Sequence, residues 1–333
     1  MSRRSLLLIL IASGALLVAA FVGVVLATSG ASDDELVIYS ARSHYGEEKP
    51  FEDFANKTGT DLRIRGGSAS DLYYRLKSEG DDTQADVLIT VDAANLWRAE
   101  EAGLLEPVHD PKIEAAVPRG LRDPDDEWFG LLLRARTIMR STERVGPNEV
   151  TTYEGLGDPR WKGRLCLRSG TSEYNVSFVA DRLAKDGPAA TERMLRRWMA
   201  NDPQIFGSDT DVLEAIADGD CDVGLTNHYY LERELADDPD FPVAPVWADQ
   251  KGRGTHVNLS GIGVVRGSDH AKEARALIEY FLRPSEEHVF VENNHEFPVR
   301  GGSTDFKRDP IDVAGAGEHL HEAVELMNEI GWD

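Results

Sequence analysis

A strand-like run, Cys221-Asp222-Val223-Gly224-Leu225-Thr226, leads into Asn227-His228-Tyr229-Tyr230 and then into the helical Leu231-Glu232-Arg233-Glu234. Within a strand, neighbouring side chains point to opposite faces, but at a strand-to-helix turn two adjacent side chains can converge on one point. Tyr174 stands in a similar place, just after Arg168-Ser169-Gly170-Thr171-Ser172 and at a helix start. Arg42-Ser43-His44-Tyr45 likewise leads from a first strand into a first helix. A phenolate oxygen is a hard anionic donor, and a highly charged hard cation strips the phenol proton at neutral pH. Three phenolates balance the charge of Fe³⁺, and a neutral imidazole can add a further ligand. Soft metals want thiolate or thioether donors, which these positions do not offer. The plainer reading of Tyr229 and Tyr230 is a half-buried aromatic pair at a strand end.

Other residues narrow the chemistry. The chain has no G-x-x-x-x-G-K-[ST], H-E-x-x-H or G-x-S-x-G sequence, so the common nucleotide, zinc-protease and serine-hydrolase signatures are missing. Two cysteines, Cys166 and Cys221, are too few for a cysteine-rich zinc module or an iron–sulfur ferredoxin. They fall in two expected strands of one lobe, where an oxidising compartment favours a disulfide over two buried thiols. His319 and His321 lie two apart on an expected helix and so diverge, which suits a solvated face. Arg134 and Arg136 sit on a strand that crosses between lobes. They are placed to reach an anion or a phenolate in a cleft, or to pair with the many surface carboxylates. Asp92 ends a strand and is expected to cap the next helix.

These positions need a scaffold, and 333 residues suggest roughly two domains at about 150 residues each. With 36 basic and 59 acidic residues the net charge is −23, which repels nucleic acid and anionic lipid. Apolar residues at 41% and charged residues at 29% fit a folded globule rather than a disordered chain. Arg3 and Arg4 precede an apolar run over 6–27 and then Ser29-Gly30-Ala31, so 1–31 reads as an export signal or an uncleaved membrane anchor. Either way the globular part lies outside the cytoplasm. Strands at 36–40, 61–65 and 86–91 alternate with helices at 47–57, from a cap at Ser70, and through Leu96 to Gly103, implying a largely parallel sheet. A strand over 128–136 leaves this unit. A second α/β run follows, with strands at 164–168 and 220–226 and helices at 174–186, 189–200 and 209–218. A strand at 257–265 crosses back, and helices at 271–282, 285–293 and 317–330 finish the chain. The expected division is lobe 1 over 36–134, lobe 2 over 135–256, and a return segment over 257–333 belonging mainly to lobe 1. Strand C-terminal ends and helix N-termini face the cleft of such a molecule, where ligands bind.

Longer stretches carry a resemblance. They include Val37-Ile38-Tyr39-Ser40-Ala41-Arg42, Ala85-Asp86-Val87-Leu88-Ile89-Thr90-Val91-Asp92-Ala93 and Leu96-Trp97-Arg98-Ala99-Glu100-Glu101-Ala102-Gly103-Leu104. Further along stand Trp161-Lys162-Gly163-Arg164-Leu165-Cys166-Leu167-Arg168-Ser169, Tyr174-Asn175, Asn227-His228-Tyr229-Tyr230, His256-Val257-Asn258-Leu259-Ser260-Gly261 and Glu296-Phe297-Pro298-Val299. In these the chain resembles the ferric-iron-binding proteins of bacterial ABC importers, the tyrosine-rich branch of the type II two-lobed extracytoplasmic solute-binding proteins. The resemblance implies an α/β periplasmic-binding-protein-like fold with a hinge and an interlobe cleft. It implies Fe³⁺ as the transported ligand, a synergistic anion such as carbonate, and an ABC permease as partner rather than nucleic acid. It also implies a non-enzymatic monomer in the periplasm or tethered to the outer face of the cytoplasmic membrane. The implied iron ligands are Tyr229, Tyr230, Tyr174, Tyr45 and His44. The family writes Arg-His-Tyr, whereas Ser43 intervenes here between Arg42 and His44. The alternative within the same fold is a receptor for a small organic or phosphorylated anion, in which Arg134 and Arg136 would be the primary contacts.

Overall fold

In the computed structural model, the described residues are 35–42, 49–301 and 304–332. The segment 1–31, read as a signal or anchor, and His44 and Tyr45 lie outside them. No helix among the described residues is long and apolar enough to cross a membrane. The strands in chain order are β1 (Glu35–Ser40), β2 (Asp61–Gly66), β3 (Val87–Thr90), β4 (Leu105–Glu106), β5 (Phe129–Ser141), β6 (Leu165–Arg168), β7 (Gln204–Phe206), β8 (Val223–Asn227), β9 (Val243–Val246), β10 (Val257–Val265) and β11 (Phe297–Pro298).

They join in the order β2-β1-β3-β10-β5-β8-β6-β7. β1 and β3 are parallel, and β10 runs antiparallel to both β3 and β5. β5 is long enough to serve two sheets. Its first half, to Ala135, pairs with β10 and β11; from Arg136 onward it pairs with β8 and β9. β8 then pairs in parallel with β6, and β6 with β7. Every residue of β10 is buried, as expected of a strand with both faces covered. The hand-over at Ala135 and Arg136 divides the apolar core as well. Leu36, Ile38, Leu88, Phe129 and Ile262 belong to one cluster, and Ile138, Leu165, Phe178, Leu195 and Leu225 to another.

Three local expectations are corrected. The cap of the helix Ala69–Glu79 is Ser68, whose hydroxyl accepts from the Asp71 amide; Ser70 is already inside the first turn. The crossing strand runs on to Ser141, because its buried run continues through Ile138 and Met139 into the second sheet. The helix expected over 317–330 is two helices, Val313–Glu318 and Leu320–Ile330, separated at His319. Both pack on the second core through Ala316, Leu320, Ala323, Met327 and Trp332, while Val313 packs against the first core. The apolar stripe at 316, 320, 323 and 327 has helical spacing but needs the second core to cover it. The helices Ala271–Phe281 and Pro284–Asn294 do pack on the first core. Gly317 allows the shorter C-terminal helix to press on Trp97, since a Cβ there would lie 2.1 Å from the indole.

Cys166 on β6 and Cys221 just before β8 form a disulfide with Cα atoms 5.8 Å apart, and both residues are buried. Thiol titration of the unfolded, unreduced protein should find no free cysteine, and replacing both by serine should lower stability by about 2–4 kcal/mol. Two reactive thiols in that titration would contradict the pairing.

Candidate metal centre

β8 ends at Asn227 and the helix His228–Asp237 begins at once, so Tyr229 and Tyr230 occupy its first turn. Their rings are 4.5 Å apart at 37°. Tyr174 is the second residue of the helix Glu173–Asp186, reached from β6 through the loop 169–172. Because β6 and β8 are parallel neighbours, both turns open at the same sheet edge. The Tyr229 hydroxyl hydrogen-bonds to that of Tyr174, and Tyr230 lies close enough for its charge to act on Tyr174. The structure thus brings together Tyr174, Tyr229 and Tyr230 from two separate turns.

Cations surround the phenols. The guanidinium of Arg134 is 5.8 Å from the Tyr174 ring centre and that of Arg168 is 5.5 Å from it. Arg233 stands 5.1 Å from the Tyr229 ring and 5.6 Å from that of Tyr230. Burial pushes the Tyr174 phenol well up from its usual range and Tyr230 adds to this, while Arg134 opposes both. The protonated phenol is therefore the favoured form of Tyr174. Arg233 was within reach of sequence reasoning, being four residues after Tyr229 and three after Tyr230 on one helix face. Arg168, just before the loop, carried no such spacing signal.

The two crossing-strand arginines are held by buried carboxylates, not by the surface acids considered above. Arg134 donates from Nε to Glu296 Oε1 at 3.2 Å and from Nη1 to the Val91 carbonyl. Arg42 reaches the other oxygen of Glu296 at 3.0 Å and the Ser260 hydroxyl at 3.0 Å. Burial alone would raise the Glu296 carboxyl, but Arg42 and Arg134 together hold it below the usual range. Arg136 is clasped by Asp209, at 3.2 Å, and by the side-chain oxygens of Asn175 and Asn227.

Neighbouring groups complete the electrostatics. Glu173 is half-buried, and its carboxylate accepts from the Ala69 amide at 3.0 Å, joining the tyrosine helix to the start of Ala69–Glu79. Burial, with Asp92 nearby, raises its carboxyl to about 7. Asp92 caps the helix Ala93–Glu101 through the Asn95 amide. His228 accepts at Nδ1 from the Ala135 amide at 3.2 Å, its ring stacks on Phe297 at 4.2 Å, and it meets the Tyr229 ring edge-on at 5.8 Å. Burial lowers its imidazole to about 4, so it is neutral near pH 7. A cavity of about 940 Å³ lies against the loop that leads to Tyr174, lined in part by Arg98, Arg168, Ser169, Ser172 and Glu173 but by none of the three tyrosines. Another cluster, His109, Glu114 and Asp126, has ligand atoms within 4.8 Å of one another, but the Arg122 guanidinium already pairs with both of its carboxylates.

Two sheets sharing one long strand, with helix starts from parallel strands meeting at one edge, define a two-lobed α/β solute receptor of type II. The chain belongs to the bacterial extracellular solute-binding proteins, whose family model matches residues 82–314. It is 38% identical over 325 residues to iron uptake protein A1 of Synechocystis, covering 92% of this chain and 90% of that protein. A Trichodesmium protein solved in complex with iron and citrate ligands superposes with a TM-score of 0.81 at 35% identity, over 90% of this chain and 100% of that one. The ferric binding protein from Campylobacter jejuni superposes with a TM-score of 0.84 at 30% identity, again over 90% and 100%.

Glu296 is the shared counter-ion of two buried arginines. Glu296→Gln should therefore cost about 3–5 kcal/mol, because it leaves both cations uncompensated, as measured by urea unfolding at pH 7. Its folded-state pKa is depressed, so its contribution is complete above the ordinary carboxylate pKa of about 4.3 and is lost as pH falls through the folded value. The gap between wild type and variant should accordingly narrow in acid. A constant gap down to the acid transition would contradict this pairing.

Proposed function

We propose that this protein is an extracytoplasmic receptor that captures Fe³⁺ in an interlobe cleft and delivers it to an ABC permease. Lobe 1 is 36–134 together with the return strand and the helices to Asn294; lobe 2 is 135–256 together with the two C-terminal helices. The observation that carries the reading is the meeting of Tyr174, Tyr229 and Tyr230 at one sheet edge. As phenolates they supply three negative charges, matched to a trivalent hard cation, and the surrounding guanidiniums favour the anionic form. All three tyrosines belong to lobe 2, so this lobe holds the metal in an open form. Tyr45 and His44 from lobe 1 add their donors on hinge closure, and the closed shape is what a permease recognises. A small synergistic anion such as carbonate suits the cavity beside Arg168 and Ser169. The protein acts as a monomeric transport receptor rather than an enzyme, with 1–31 as its export signal or membrane tether.

That same cavity favours the second reading, a receptor for a small organic or phosphorylated anion. Colour separates the two. Adding Fe³⁺ to metal-free protein should produce a visible phenolate-to-iron charge-transfer band, and an anion receptor would stay colourless. Tyr229→Phe or Tyr230→Phe should nearly abolish the band and the binding. Tyr45→Phe should keep the colour, lower the affinity and reduce the compaction that small-angle scattering records on adding iron.

Iron affinity should also fall steadily as pH drops, because protons compete for the phenolates. Equilibrium competition against a chelator, corrected for the chelator's own protonation, measures this. A flat profile across the acid range would remove the tyrosines as ligands.

A further inference from the structure

Arg136 touches both turns that carry the tyrosines. Its Nε donates to Asn175 Oδ1 at 2.9 Å, and its Nη1 donates to Asn227 Oδ1 at 3.1 Å. Asn175 follows Tyr174 directly, and its Nδ2 donates to the carbonyls of Arg168 and Ser169, each at 2.9 Å, closing the loop that leads to Tyr174. Asn227 is two residues before Tyr229, and its Nδ2 donates to the Tyr229 hydroxyl at 3.2 Å. Asp209, fully buried at the first position of its helix, holds the guanidinium from the far side and also receives Arg168 at 3.3 Å. Arg136, Asn175, Asn227 and Asp209 are all nearly or wholly inaccessible to solvent.

The chemistry of a guanidinium dictates how these amides sit. It has donors and no acceptor, so each asparagine must turn its oxygen toward Arg136. The NH₂ of Asn227 is then the end that faces Tyr229. An N–H donor aimed at a phenol oxygen favours its charged form, whereas a flipped amide would present an oxygen and repel it. The geometry points to Arg136 as the positioning residue of the tyrosine site, acting through Asn227 on the Tyr229 oxygen and through Asn175 on the turn that places Tyr174. Arg136 is thus a residue that needs no contact with metal or anion. The inference rests on the iron-binding reading above.

The test uses the chain with Fe³⁺ supplied from nitrilotriacetate, reading the charge-transfer maximum and the affinity. A hydrogen bond to a phenolate lowers its donor orbital, so losing it should move the band to longer wavelength. Asn227→Ala should keep the colour, show that shift and bind about ten- to hundredfold more weakly. The charge-neutral pair Arg136→Gln with Asp209→Asn should shift the band the same way. Adding Asn227→Ala to that pair should shift it no further, since the two changes act through one hydrogen bond. Arg136→Lys retains the charge on Asp209 but cannot reach both asparagines with one planar fork, and should show the same shift if the neutral pair fails to fold. An unmoved band and wild-type affinity in Arg136→Lys, or in Asn227→Ala, would overturn the inference while leaving iron binding intact. Absence of any band in the wild type would instead overturn the iron reading and this inference with it.

Discussion

Arg134 and Arg136 lie two residues apart on β5, and hence on one face of it, at the point where the strand leaves one sheet for the other. Two guanidiniums inside a protein carry a desolvation cost of several kcal/mol each unless carboxylates and hydrogen bonds offset it. Glu296 and Asp209 provide that compensation, and they arrive from different parts of the chain. The demand for neutrality therefore draws the start of β11, the end of β1 through Arg42 and the head of the helix Asp209–Asp218 to one place. The strand that links the lobes is also the strand around which the charged groups are organised.

On this frame the tyrosines face opposing requirements. Burial favours the protonated Tyr174 phenol, which carries no unbalanced negative charge. A hard trivalent cation needs the same oxygens ionised. Arg134, Arg168 and Arg233 lie near the rings, and their positive charge favours the ionised phenols. In the proposed iron-binding reading, metal capture and proton release are one event, and the chain's acidic balance favours cations in the surroundings.

The loop leading to Tyr174 depends on distant residues as well. Trp332, near the C-terminus, donates from its indole to the Arg168 carbonyl at 3.0 Å and packs against Trp198. Gly170 is what admits it, because a Cβ there would lie 1.9 Å from the Trp332 carbonyl oxygen. The last helices of the chain thus brace the turn that presents a candidate ligand, and with Val313–Glu318 seated against Trp97 they also reach the first half.

Much of this was legible in the order of residues. The largely apolar stretch at 257–265 marked a strand that crosses back, and it occupies those residues as β10. The positions of Tyr174, Tyr229 and Tyr230 at strand-to-helix turns followed from local periodicity, which is set by neighbours a few residues away. Which turns would meet was a different matter, because it depends on β6 and β8 becoming parallel neighbours although their paired cysteines are 55 positions apart in sequence. Among 59 acidic residues nothing local singles out Glu296, 162 positions from Arg134, or Asp209, 73 positions from Arg136. A carboxylate has no periodicity that names its partner; burial selects it, through the cost of an unpaired charge. The same holds for the C-terminal helices, whose apolar stripe specified that they must be covered while the packed tertiary structure decided that the second core would cover them.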